Sequence, residues 1–124
     1  MRTLVVDDSR VIRSILRRYL SELGWEVFEA GHGVEALQVL EREGPMDVAL
    51  VDWNMPEMDG ITFLRTVRRI PRFRSMVVLM VTTETEADRV VQAMAAGASE
   101  YLMKPFDKEA LLARLTLLGL VGPA

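Results

Sequence analysis

The sequence contains no cysteine. That absence excludes a disulfide framework, a thiolate metal site and a cysteine nucleophile, and it suits a reducing compartment such as the cytoplasm. Charge of one sign is missing too. The 15 basic and 18 acidic side chains are mixed along the chain and leave a net charge of −3, so neither a nucleic acid nor a membrane surface is expected as a partner. No long hydrophobic run is present. Thr3-Leu4-Val5-Val6 gives way at once to Asp7 and Asp8, which is too short for an export signal or a membrane span. The one histidine, His32, reads as a solvated loop residue rather than a ligand or phosphoacceptor. Repeats, low-complexity stretches and linkers are lacking as well. What is present is a chain of 124 residues, 50% of them hydrophobic, enough for one core. The expectation is a single monomeric domain over residues 1–124, frayed only from Gly119 to Ala124.

Short apolar runs alternate with stretches of helical period, the pattern of a parallel α/β sheet. Thr3 to Val6, Met46 to Val51 and Met76 to Val81 read as strands buried on both faces. Trp25 to Glu29 alternates like an edge strand, and Tyr101 to Met103 is a shorter fifth strand. Val11, Ile12, Ile15, Leu16, Tyr19, Leu20 and Leu23 recur at helical spacing between a Ser9 N-cap and a Gly24 stop. Further helices are expected over Val34 to Glu43, Ile61 to Arg69, Glu86 to Ala96 and Asp107 to Leu118, with Gly44-Pro45 and Gly97 as punctuation.

Chemistry-bearing residues stand where these strands stop. Asp7 and Asp8 follow the first, Asp52 the third, Thr82 and Thr83 the fourth, and Lys104-Pro105 the fifth. Ligands of open parallel sheets bind outside the carboxyl ends of the strands, so these residues should gather at one edge. The second strand ends in Ala30-Gly31 and offers nothing, which fits the doubly wound, flavodoxin-like order 2-1-3-4-5 with five helices. Three carboxylates brought together repel one another unless a cation offsets them. All-oxygen ligands suit Mg²⁺, which also accepts phosphate oxygens into its shell. Lys104 and Thr82 then offer a charge and a hydroxyl to a transferring phosphoryl group, with Asp52 as the nucleophile that becomes an aspartyl phosphate.

Val5-Val6-Asp7-Asp8-Ser9-Arg10, the stretch from Val51 to Gly60, Thr82-Thr83-Glu84 and the stretch from Ala96 to Phe106 resemble the signature blocks of the response-regulator receiver family. The resemblance runs from Thr3 to about Leu118, and Asp52-Trp53-Asn54-Met55-Pro56 is most like the single-domain chemotaxis regulators. It implies that Asp8, Asp52 and the backbone carbonyl of Asn54 bind Mg²⁺, with Asp7 acting through water, and that Lys104 pairs with the phosphoryl group. It implies a switch in which Thr82 moves to the phosphoryl group and Tyr101 swings inward. It also implies phosphate-lifetime tuning by Asn54 and Glu84 and a cis Lys104-Pro105 peptide. The implied partners are a histidine kinase and a downstream target, such as a flagellar motor switch or another regulator.

Plainer readings exist for each residue alone. Asp7-Asp8 could form a turn and N-cap, Thr82-Thr83 a cap, and Lys104-Pro105 an exposed loop. Asp52 is harder to dismiss, because an acid after the four apolar strand positions Val48 to Val51 is costly without a role. The methionines Met55, Met58, Met80, Met94 and Met103 read as packing. Arg65, Arg68, Arg69, Arg72 and Arg74 read as a solvated helix face and loop. Two other functions fit less well. A Mg-dependent aspartyl-phosphate phosphatase of the haloacid-dehalogenase type carries a general acid two places after its nucleophile, and Asn54 cannot serve there. A flavodoxin-like cofactor site needs a phosphate cradle where Asp7-Asp8 would repel phosphate. The expected role is therefore a phosphoacceptor signalling protein rather than an enzyme. A receiver cut from a longer regulator or hybrid kinase is the contextual alternative.

Overall fold

The structure is a computed structural model and describes residues 1–83 and 87–122. Among these, five strands alternate with five helices in the order β1 (Arg2–Val6), α1 (Arg10–Glu22), β2 (Glu26–Ala30), α2 (Gly33–Glu43), β3 (Val48–Asp52), α3 (Gly60–Arg69), β4 (Val77–Thr83), α4 (Ala87–Ala96), β5 (Glu100–Lys104) and α5 (Lys108–Leu117). All strand pairs are parallel, in the order β2-β1-β3-β4-β5. This is the doubly wound arrangement expected from the alternation of elements.

The local signals act as their chemistry dictates. Ser9 caps α1 by accepting from the Ile12 amide, and Leu16 and Leu20 form its buried stripe. Past the C-cap Leu23, Gly24 takes φ 81°, a backbone region open to glycine. Asp59 and Asp107 cap α3 and α5 in the same manner as Ser9. Strand alternation sends side chains to two cores. Leu4, Val6, Val51, Val78 and Met80 pack with Leu40, Phe63, Leu64 and Val67 on the face covered by α2, α3 and α4. Val5, Leu50, Leu79, Val81 and Leu102 pack with Leu16, Leu20, Leu111 and Leu115 on the α1 and α5 face. Burying a side chain such as Phe63 contributes about 1.5–3 kcal/mol, so the sheet is held from both sides.

The observed boundaries correct several expectations. β3 begins after Met46 and includes Asp52, and β4 begins after Met76 and includes Thr82 and Thr83. β5 extends from Glu100 through Lys104. The strands therefore reach one or two residues further toward the candidate site than their apolar runs suggest, because a backbone ladder can continue through polar residues. The start of α4 proposed at Glu86 lies outside the described residues, as does Glu84 itself. His32 is no mere loop residue. It is the N-cap of α2, and its Nδ1 accepts the Glu35 amide at 3.2 Å. Arg68 also departs from the solvated-face reading. It donates to the carbonyls of Gly97, Arg74 and Met76 at 2.9, 3.0 and 2.6 Å and ties the end of α3 to the segments flanking β4 and β5.

Candidate functional site

Asp52 is the last residue of β3 and Asp7 the first after β1, its neighbour in the sheet. The register pairs Val6 with Val51 and so sets Asp7 beside Asp52. Both carboxylates are buried, while Asp8 is exposed. One oxygen from each of Asp7, Asp8 and Asp52 lies within 4.8 Å of the others. Lys104, at the end of β5, reaches over β4 and donates to Asp7 Oδ2 at 3.2 Å and Asp52 Oδ1 at 3.1 Å. One ammonium thus serves two of the cluster's three carboxylates, Asp7 and Asp52.

The electrostatics follow from that imbalance. Burial pushes the Asp52 carboxyl up, the Asp7 charge adds to it, and Lys104 only partly opposes them, so its pKa rises to about 6. Burial alone would lower the Lys104 pKa, but the charges of Asp52 and Asp7 outweigh it and hold the ammonium above its ordinary range. Lys104 is therefore a permanent cation, whereas Asp52 keeps a proton into mildly acidic solution. An all-oxygen, surplus-negative cluster of this kind is compatible with a hard divalent ion such as Mg²⁺.

The loop after β3 is fixed from two sides. A Cβ on Gly60 would lie 2.2 Å from the backbone oxygen of Asp52, so only glycine lets the start of α3 close onto the end of β3. The Gly60 amide donates to the Trp53 carbonyl at 2.9 Å. Met58 presses on Gly33, where a Cβ would lie 2.7 Å from its Cγ, and its carbonyl accepts the Gly33 amide at 3.2 Å. Asn54 is exposed in this loop. Ser9 helps from the β1 side, its amide donating to Asp7 Oδ1 at 2.8 Å.

Thr82 is buried near the end of β4. Tyr101 lies near the start of β5, paired in register with Met80, so the two-residue period of a strand puts Tyr101 and Thr82 on the same face of the sheet. The Lys104–Pro105 peptide is cis. Lys104 also borders a largely apolar cavity of about 600 Å³, shared with Ile12, Ile15, Tyr19, Thr83 and Phe106. Two arginines at the site were missed in the sequence. Arg89 of α4 donates to Asn54 Oδ1 at 2.9 Å and lies over the Trp53 ring at 5.3 Å. Arg114 of α5 lies over the Tyr101 ring at 4.5 Å.

Comparison with known proteins agrees with this arrangement. The family model described as "Response regulator receiver domain" matches residues 3–116. The chain is 43% identical over 116 residues to the chemotaxis protein CheY1 of Helicobacter pylori, covering 93% of this chain and 94% of that protein. It is 41% identical over 116 residues to a CheY homolog of Campylobacter jejuni, covering 93% and 89%. Among solved structures, Vibrio cholerae CheY4 superposes with a TM-score of 0.85 at 38% identity, covering 97% of this chain and 98% of that one. The receiver domain of NtrX from Brucella abortus gives a TM-score of 0.85 at 25% identity, covering 95% and 97%. With a matching family model over most of its length and the acidic cluster and lysine at the strand ends, the chain belongs to the response-regulator receiver family, on its CheY-like side.

Proposed function

We propose that this protein is a phosphorylation switch in which Asp52 accepts a phosphoryl group from the phosphohistidine of a histidine kinase. The observation that carries this reading is the shared ammonium of Lys104, 3.1 Å from Asp52 and 3.2 Å from Asp7, within a cluster that keeps surplus negative charge. A carboxylate oxygen of Asp52 attacks phosphorus in line, the P–N bond to the donor imidazole breaks, and an aspartyl phosphate remains. Lys104 then transfers its contact from the bare carboxylate to a phosphoryl oxygen. Asp8, Asp52 and the Asn54 carbonyl would hold Mg²⁺, with Asp7 acting through water. The ion would supply neutralisation of charge on the phosphoryl oxygens. The protein thus takes part in its own phosphorylation while serving as a regulator rather than a catalyst of turnover.

Thr82 is the residue suited to donate a hydroxyl to the phosphoryl group, and Tyr101, on the same sheet face, the one suited to move into the space the threonine vacates. Asn54 and Glu84 would set how long the phosphate lasts. The α4, β5 and α5 face changes its affinity for a target protein. The names of the relatives make chemotaxis the leading pathway, with a flagellar motor switch or another regulator as target. The reading includes a cytoplasmic, monomeric protein whose single domain spans residues 1–124. No described helix is long and apolar enough to cross a membrane.

Labelling with radioactive acetyl phosphate tests the nucleophile. Wild type should take up label only with Mg²⁺ present, and Asp52→Asn should take up none. Label that maps to His32 or a serine would overturn the mechanism.

A further inference from the structure

Arg114 lies in the last turn of α5, the helix packed on the α1 side of the sheet through Leu111 and Leu115. Tyr101 belongs to the opposite face, because its register partner Met80 packs with α2, α3 and α4. β5 is the outer strand of the sheet. The Arg114 side chain therefore passes around the open edge of β5 to place its guanidinium 4.5 Å from the centre of the Tyr101 ring. Glu100 completes the clasp. Its Oε1 accepts the backbone amide of Tyr101 at 3.0 Å and lies 3.6 Å from Arg114 Nη1. One carboxylate thus anchors both the residue that carries the ring and the cation above it. The pair is partly sheltered, with Arg114 and Glu100 side chains 29% and 20% exposed, so the contact is less screened than a fully solvated one.

We propose that Arg114 is a positioning residue that holds the Tyr101 ring where it lies beneath the guanidinium and so raises the threshold for activation. The inference rests on the assignment of Tyr101 as the switch residue made above. A cation over a ring is favourable only while the ring stays beneath it. Movement of Tyr101 toward Thr82 carries the ring along the inner face, away from a guanidinium tethered to Glu100 at the outer edge. The stack therefore belongs to one of the two states. An interaction confined to the inactive state lowers the apparent affinity of any ligand that selects the active one, by the factor it adds to the equilibrium. A cation–π contact at a partly exposed site corresponds to a factor of about two to five.

The test is a titration of the full chain with beryllofluoride, a phosphoryl mimic, at saturating Mg²⁺, followed by NMR signals of Tyr101 and of the residues around Asp52. Arg114→Ala should bind beryllofluoride about two- to fivefold more tightly than wild type. Arg114→Lys, which keeps a charge for Glu100 but loses the flat guanidinium, should fall between. In a Tyr101→Ala background, Arg114→Ala should change nothing, because there is no ring to release. If Tyr101 responds to the mimic in wild type but Arg114→Ala binds it no more tightly, the latch is overturned and the switch stands. An equal gain in both backgrounds also overturns the latch, since Arg114 then acts without the ring. If the signals around Asp52 respond and those of Tyr101 do not, the switch assignment fails and the latch fails with it.

Discussion

Two charged clusters on neighbouring strands balance their charges in opposite ways. On β2, Glu29 faces two guanidiniums from α1: Arg13 Nε at 3.2 Å and Arg17 Nε on its other oxygen. Each arginine also donates to a backbone carbonyl, Arg13 to Asp7 and Arg17 to Val27. At the ends of β1 and β3, the cluster of Asp7, Asp8 and Asp52 has one ammonium beside it, that of Lys104, paired with Asp7 and Asp52. Cations are not scarce there, for Arg13 touches the Asp7 carbonyl at 2.6 Å while its Nε serves Glu29. The Glu29 cluster is a tie between helix and sheet. The aspartate cluster is an unsettled charge that an added cation or phosphoryl group would change.

The largest stability effect that would expose this difference is a pH dependence at Asp52. Below about pH 4 its carboxyl is protonated in folded and unfolded chains alike. Between about 4 and about 6 the folded protein keeps a proton that the unfolded chain has released, so stability from this group falls as pH rises through that window. Above about 6 the cost is complete and amounts to about 3 kcal/mol. Other carboxyls titrate in the same range, so the quantity to measure is the difference between wild type and Asp52→Asn. Urea unfolding from pH 4 to pH 7.5 should show Asp52→Asn gaining on wild type as pH rises. A constant difference would mean that the cluster does not hold Asp52 under charge stress.

Mg²⁺ gives the next effect. Binding the folded cluster far better than the unfolded chain, it should add about 1.4 kcal/mol at tenfold excess over its Kd. Thermal melts in EDTA and in millimolar Mg²⁺ at matched ionic strength measure this. Asp8→Asn should melt higher than wild type in EDTA and gain less from Mg²⁺, because repulsion and ligation come from the same oxygens. A wild type indifferent to Mg²⁺ would reduce the cluster to caps and turns.

How much of this could be read in the sequence depends on how far each side chain reaches. Asp7, Asp52 and Lys104 sit at the ends of strands, and the strand order alone brings them to one edge, so apolar runs and their terminal residues were enough to assemble them. Arg89, Arg114 and Arg68 act from helices through long, flexible side chains. Their contacts depend on how each helix is rotated against the sheet, which hydrophobic periodicity sets only coarsely. His32 was misread for a related reason. Histidine is an uncommon N-cap, and its role shows only once α2 is known to start at Gly33. The strand ends were drawn short because hydrophobicity marks burial, whereas the ladder follows backbone pairing through Thr83 and Lys104.

The smallest effect tests the balanced cluster by the same edit, acid to amide. In Glu29→Gln, Arg13 and Arg17 keep an oxygen acceptor but lose its charge. Arg17 is 46% exposed and Glu29 29%, so solvent screens much of the attraction, and the expected loss is about 0.2–1 kcal/mol. That loss should shrink as salt is raised toward about 1 M, where the screening length falls to about 3 Å. Phosphorylation should be unchanged, since Glu29 pairs with Arg13 and Arg17 rather than with any group of the Asp52 cluster. The sign is what matters. Removing one negative charge should weaken the fold at Glu29 and strengthen the metal-free fold at Asp8, because only the first has a surplus of cations around it. Denaturant unfolding of both variants in EDTA, at low and high salt, reads the two signs side by side. If Glu29→Gln is the more stable protein, Arg13 and Arg17 do not serve as countercharges and the two clusters do not differ in their charge balance.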